Sequence, residues 1–207
     1  MAFSFNITEF CYVLSMARAP IGRQQFLDAA RAELIEGDGT LELSALKRRT
    51  GLSTGALYHH FGSKLGLIAA IYEDFYERLK AAVADAYVPA DGTWAERERA
   101  RTGRMVEFHY GDPLSSYLLN RAAPDAGLVE AEDAYITSMG EAAAANIRRG
   151  QAAGELSDDI DAASAGAYII GGLRHAIGQQ LRADPRPTTQ EATDRLWRLV
   201  AASLGIG

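Results

Sequence analysis

The chain holds one cysteine, Cys11, so an internal disulfide is excluded, and that cysteine with four histidines offers no spacing that suggests zinc or calls for a cofactor. Prolines number six. Two of them, Pro185 and Pro187, sit together between helical patterns, and Pro89 with Asp91-Gly92 marks an earlier break. No hydrophobic run approaches membrane-spanning length. No convincing β alternation, internal repeat or long low-complexity tract is present, which leaves an all-α reading. Met1 to Ser15 is apolar but contains Glu9 and lacks a basic start, so it does not read as a signal peptide, and the expected location is cytoplasmic. Residues 1–19 read as an extension ahead of the first domain.

The most telling scarcity is local. Between Glu42 and Glu73 there is no acidic residue, while Lys47, Arg48, Arg49 and Lys64 give the window a charge of +4 in a chain whose total is -6. Residues 1–80 carry equal numbers of basic and acidic side chains, so the whole negative excess lies beyond them. An acidic body with one basic end presents a single face to a polyanion.

What the window does contain is a turn and a short helix. Leu43 and Leu46 with Lys47-Arg48-Arg49 form a helix that is apolar inside and basic at its outer end. Gly51 supplies a sharp turn, and Ser53 or Thr54 caps the next helix, in which Leu57 and Phe61 share an inward face. Thr54, Gly55, Tyr58 and His59 look outward. A threonine can bond a base edge or a phosphate, a glycine admits close approach, and Ala56 is small enough to meet a thymine methyl. Tyr58, His59 and His60 suit phosphates better than bases, and Lys64 sits at a helix N-terminus, which favours an anion. His60 also reads as a packed core histidine.

From about Gln24 to Leu79 the sequence resembles the DNA-binding domain of the TetR family of bacterial transcriptional regulators. The likeness is carried by Gly51-Leu52-Ser53, by Ala56-Leu57-Tyr58-His59-His60-Phe61 and by Ser63-Lys64, with Leu67 in place. Lys47 and Thr50 depart from it, since small apolar residues are expected at both. The resemblance implies an N-terminal three-helix helix-turn-helix domain over residues 20–88 and a C-terminal helical domain over 89–207 for effector binding and dimerisation. It implies Ser44, Thr54, Gly55, Ala56, Tyr58, His59, His60 and Lys64 as the DNA-facing set. It also implies a homodimer on a palindromic double-stranded operator.

Helical spacing predicts helices over Gln24–Glu36, from Ser63 through Leu79, over Trp94–Phe108, Leu114–Asn120, Leu128–Arg149, Asp161–Leu181 and Thr189–Leu204, with a turn over Gly150–Ser157. In Asp161–Leu181 the small residues Ala163, Gly166, Ala167 and Gly171 allow another helix to approach, and are expected at the dimer seam. Phe108, His109, Tyr117, Tyr135, Met139 and Tyr168 combine apolar bodies with polar tips and are expected to line an effector pocket. The function expected is a ligand-responsive regulator, most simply a repressor. Two others compete: an interaction module of the same fold that does not read DNA, and a helical enzyme using His109 or His175 as base, for which no nucleophile or metal partner stands at usable spacing.

Overall fold

A computed structural model describes residues 21–37, 41–84, 92–120 and 126–206. The extension over 1–19 and the break at Pro89 therefore lie outside the described residues. Nine helices and no strands are present among the described residues: α1 (Ile21–Glu36), α2 (Leu43–Thr50), α3 (Thr54–Phe61), α4 (Lys64–Ala84), α5 (Trp94–Gly111), α6 (Leu114–Asn120), α7 (Ala126–Ala152), α8 (Ala162–Arg182) and α9 (Thr189–Ser203). The chain forms two compact units that divide within α4, between Ile71 and Tyr72.

In the first unit Phe26, Leu27, Ala30 and Leu34 of α1, Leu46 of α2, Leu57 of α3 and Leu67 of α4 are all nearly inaccessible to solvent, and α1 packs on both α2 and α3. Burying a leucine or phenylalanine fully stabilises by about 1.5–3 kcal/mol, so this handful of residues carries a short three-helix motif that propensity alone would not hold. Arg49 of α2 is ion-paired with both Glu33 and Glu36 of α1. One member of the basic run thus braces α2 against α1, while Lys47 and Arg48 remain exposed.

The second unit is built around α8, which packs along α7 and also against α6 and α9. Small residues set the α7–α8 separation. A Cβ built on Gly166 would fall 2.5 Å from Gly140 O and 2.7 Å from Ala144 N, both backbone atoms of α7. Gly166, expected at a dimer seam, is buried inside its own chain, where the close approach that its lack of a side chain permits is made by α7. Ala163 and Ala167 are exposed along the α7–α8 groove, and Gly171 is exposed with nothing within 4 Å of a built Cβ.

Two helices start with reciprocal caps. Thr93 Oγ1 accepts from the Glu96 amide at 3.2 Å while the Thr93 amide donates to Glu96 Oε2 at 2.8 Å, and Thr188 and Glu191 repeat the arrangement at 3.2 and 2.8 Å. The Thr-x-x-Glu spacing that makes these boxes is readable in the sequence. Trp94, 2% exposed, anchors α5 by donating from Nε1 to Asn146 O of α7 at 3.0 Å. No helix among the described residues is long and apolar enough to cross a membrane.

Candidate nucleic-acid interface and effector cavity

Helix α3 is held between two glycines in left-handed backbone, Gly51 at φ 69° and Gly62 at φ 71°. Each accommodates a reversal of direction that a side chain would strain, and each donates its amide back into the preceding helix, to Lys47 O and Tyr58 O. Thr50 secures the turn from inside: its hydroxyl donates to Leu46 O at 2.8 Å, and its oxygen accepts from the Leu52 amide at 3.1 Å. This explains one departure from the family pattern, because a small apolar residue could make neither bond. Lys47, the other departure, points to solvent. Ser53 caps α3 by accepting from the Ala56 amide at 3.2 Å, and Ser63 accepts from the Gly66 amide at 2.9 Å beside exposed Lys64.

Leu57 is 1% exposed and fixes the inner face of α3; the outer face is then dictated by helical phase. Thr54, Gly55, Tyr58 and His59 are exposed, with Tyr58 at 48%. A Cβ on Gly55 would meet only Ser53 Oγ at 3.7 Å, so the start of α3 is open. Ala56 is half-buried. His60 is half-buried too, its ring edge-on to Phe26 at 6.4 Å, and it ties α3 to α1 as well as reaching the surface. Ser44 is exposed on α2. Lys47, Arg48 and Lys64 are thus cations at the surface of an acid-free window, and Arg49 is the one whose charge is matched internally.

The second unit contains a cavity of about 380 Å³, walled by α4, α5, α7 and α8. Val83, Met105, Met139, Ile169, Ile170 and Leu173 make its apolar wall, and Lys80, Glu98, Arg101, Thr102, Asn146 and Arg149 supply polar groups. A water-sized void of about 20 Å³ shares Met105, Met139 and Ile170 with it and is lined further in by Tyr76, His109 and Arg174.

Of the residues expected in an effector pocket, Met139 lines both spaces and His109 the inner one. His109 is buried, its Nδ1 3.0 Å from Ser115 Oγ, and burial with the nearby Arg174 charge lowers its pKa to about 4, so the ring is neutral at physiological pH. The other four stand outside these spaces. Phe108 packs on Phe75 with ring centroids 5.2 Å apart, and Tyr117 is half-buried on α6. Tyr135 stacks on Tyr76 at 4.7 Å and donates to Glu77 Oε1 at 3.2 Å, a contact between α7 and α4. Tyr168 is 71% exposed: its neighbours Ile169 and Ile170 take the inward phase of α8 and turn it to the outside.

The buried polar group that the sequence did not single out is Glu132, the partner of Arg174. Glu132 is 6% exposed, ion-paired with Arg174 and 3.4 Å from the Tyr76 hydroxyl, whose pKa burial and this carboxylate push up to about 12. A buried carboxylate is tolerated only with such partners.

Residues 26–71 match the family model described as bacterial regulatory proteins, tetR family. The HTH-type transcriptional regulator BetI of Klebsiella pneumoniae (strain 342) is 34% identical over 86 residues, 41% of this chain and 44% of that protein. The corresponding BetI of Cronobacter sakazakii is 32% identical over 94 residues, so the chain spans under half the length of the curated relatives it matches. Among solved structures, a bacterial regulatory protein in the tetR family from Rhodococcus RHA1 superposes with a TM-score of 0.71 over 91% of this chain and 100% of that one, at 20% identity. The transcriptional regulator FadR of Bacillus subtilis, solved in complex with stearoyl-CoA, gives 0.71 over 87% and 98%, at 16% identity. The family match covers α3 and its turn, and the all-helical likeness extends over most of the chain: residues 26–71 carry the DNA-binding domain of the tetR family of bacterial regulatory proteins, on an all-α fold shared with solved members of that family.

Proposed function

We propose that the protein is a ligand-responsive transcriptional regulator that binds a palindromic DNA operator as a homodimer and represses a nearby gene by blocking polymerase. The observation that carries this reading is the outer face of α3, where Thr54, Gly55, Tyr58 and His59 are exposed beside Lys47, Arg48 and Lys64 and no carboxylate lies between Glu42 and Glu73. Thr54 and Gly55 at the start of the helix read bases, and Tyr58 and Lys64 hold phosphates. The curated relatives that share this region bear the name of HTH-type transcriptional regulators. Such a protein works in the cytoplasm, with residues 20–88 as its DNA-binding part and 89–207 as its regulatory part.

Dimerisation uses the outer faces of α8 and α9. Tyr168 and Leu199 are 71% and 65% exposed, and Gly171 and Gly172 leave the α8 surface open to a partner helix. A two-fold axis then offers two recognition helices to successive major grooves. The effector occupies the cavity bounded by Met105, Met139 and Ile170. It releases DNA only if it prefers the arrangement that does not fit the operator, and a coupling of about 1–3 kcal/mol changes operator affinity roughly 5- to 150-fold. α4 transmits the change, since it begins at Lys64 and carries Lys80 and Val83 in the cavity wall. Fluorescence anisotropy of the full chain with an inverted-repeat duplex across a salt series tests the reading. Lys64→Ala should weaken binding on every sequence and make the log–log salt slope shallower by about 0.9, the value for one lost phosphate contact. An unchanged slope and affinity would remove Lys64 from the interface.

A further inference from the structure

The charge of the cavity wall narrows the chemistry of what fills it. Lys80, Arg101 and Arg149 face Glu98 alone among the ionisable residues lining the larger space. Glu98 is already engaged, accepting from Arg101 Nη1 at 2.9 Å and from the Asn146 amide. A cationic ligand would have to displace Arg101 to reach it. Arg149 donates to the neutral Asn146 side chain at 3.2 Å and has no carboxylate within 4 Å among the described residues, while Lys80 lies 3.9 Å from Glu77 at the edge of contact. Both are exposed, so they stand at the mouth, whereas Met105, Met139 and Ile170 lead inward.

We propose that the effector is an amphipathic anion whose acidic head binds at Arg149 and Lys80 and whose apolar body lies along Val83, Met105, Met139, Ile169, Ile170 and Leu173. The proposal rests on the reading of this cavity as the effector site and adds the ligand's class. Size decides the orientation. The inner void, about 20 Å³, holds roughly one water molecule and cannot take a carboxylate or phosphate head, while the larger space is near the lower end of small-molecule pockets, about 300–1,000 Å³. Arg174 at the inner end has its charge balanced by Glu132, and His109 beside it is neutral, so the surplus positive charge is at the mouth. A single-chain carboxylate is the simplest molecule with both features.

Calorimetric titration of the full chain with octanoate, dodecanoate, dodecanol and dodecyltrimethylammonium tests it, on the wild type and on the double variant Lys80→Gln, Arg149→Gln, whose fold is checked by circular dichroism. At least one carboxylate should bind about tenfold tighter than the alcohol, and the ammonium weaker still. The double variant should bring the carboxylate down to the level of the alcohol and leave the alcohol unchanged. A single variant, Arg149→Lys, should retain most of the preference, which holds the test open if the double variant does not fold. Equal binding of alcohol and carboxylate, tightest binding of the ammonium, a preference that survives loss of both cations, or binding of none of the four would overturn the proposal. Operator release is measured separately. Charge-dependent binding that leaves DNA affinity untouched would sustain the ligand class and sink the regulatory reading, whereas release by the alcohol as strong as by the carboxylates would do the reverse.

Discussion

Replacing Gly166 with alanine adds one methyl group where α7 and α8 are closest. The new Cβ would stand 2.5 Å from Gly140 O, about 0.9 Å short of the 3.4 Å at which ordinary contact begins, with Ala144 N and Cα also within 3.1 Å. All three atoms are backbone, so no rotamer change relieves the overlap and the helices must separate. Overpacking of this kind costs about 1–3 kcal/mol, and the rigidity of the obstacle puts it in the upper part of that range. Alanine returns roughly 1 kcal/mol through its better helix propensity, leaving a net loss of about 1–2 kcal/mol. Urea unfolding followed by tryptophan fluorescence reads the affected unit alone, because Trp94 and Trp197 both lie within residues 72–207. The midpoint should fall at constant slope, and the thermal midpoint by roughly 2–4 °C for each kcal/mol lost. Gly111→Ala is the matched control: nothing lies within 4 Å of its built Cβ, and the change should be neutral or slightly stabilising. If Gly166→Ala is as stable as wild type, or if the control loses as much, the close approach of α7 and α8 does not set the stability of this unit.

The remaining predictions concern pH and DNA. His109 is held at a pKa of about 4 against its ordinary 6.5, so between those values the unfolded chain binds a proton that the folded chain refuses. Stability is therefore complete above pH 6.5 and declines as pH falls toward 4, by about 3 kcal/mol at roughly 1.4 kcal/mol per pH unit. Urea midpoints across that window should show the decline in the wild type and lose this component in His109→Gln; a decline of equal size in the variant would assign it to other groups. Arg49→Ala should leave the salt slope of DNA binding unchanged and lower stability only slightly, since solvent at the Arg49 guanidinium screens its ion pairs with Glu33 and Glu36; a shallower slope would place Arg49 on phosphate. Thr54→Ala should alter preference at one base position per half-site by roughly 1–3 kcal/mol, measured on a panel of single-base operator variants, and a uniform loss across the panel would make Thr54 a phosphate contact instead.

The features that could be read from the sequence were local ones. Gly51, Ser53, Leu57 and Gly62 lie within twelve residues, and turn, cap and inward face follow from their order, so α3 and its exposed side needed no knowledge of distant chain. Helix positions along the rest of the chain were legible for the same reason, and the reciprocal caps at Thr93 and Thr188 obey an equally local rule. Partners were not legible. Gly166 announces that something approaches closely, but periodicity does not say whether that is α7 of the same chain or α8 of another copy. Arg49 belongs to a basic run whose three members look alike in sequence, and only the position of α1 separates it from Lys47 and Arg48. Tyr168 and Tyr135 share the composition of pocket residues, yet a rotation of one residue along α8, and a stacking contact on α4, direct them elsewhere. Glu132 and Arg174 are 42 residues apart, and nothing in either neighbourhood marks the pair.

Selection of bound duplexes from a random DNA pool by the full-length protein tests the central claim most directly, because it needs no prior choice of operator. The enriched sequences should contain an inverted repeat whose half-sites are about one helical turn, or a small multiple of it, apart. The same selection with Tyr58→Ala, Lys64→Ala should recover little above background, since loss of two phosphate contacts weakens every sequence alike. Enrichment of no motif, or of an asymmetric site that the double variant binds as well as the wild type, would contradict the reading of α3 as the recognition helix of a dimeric regulator.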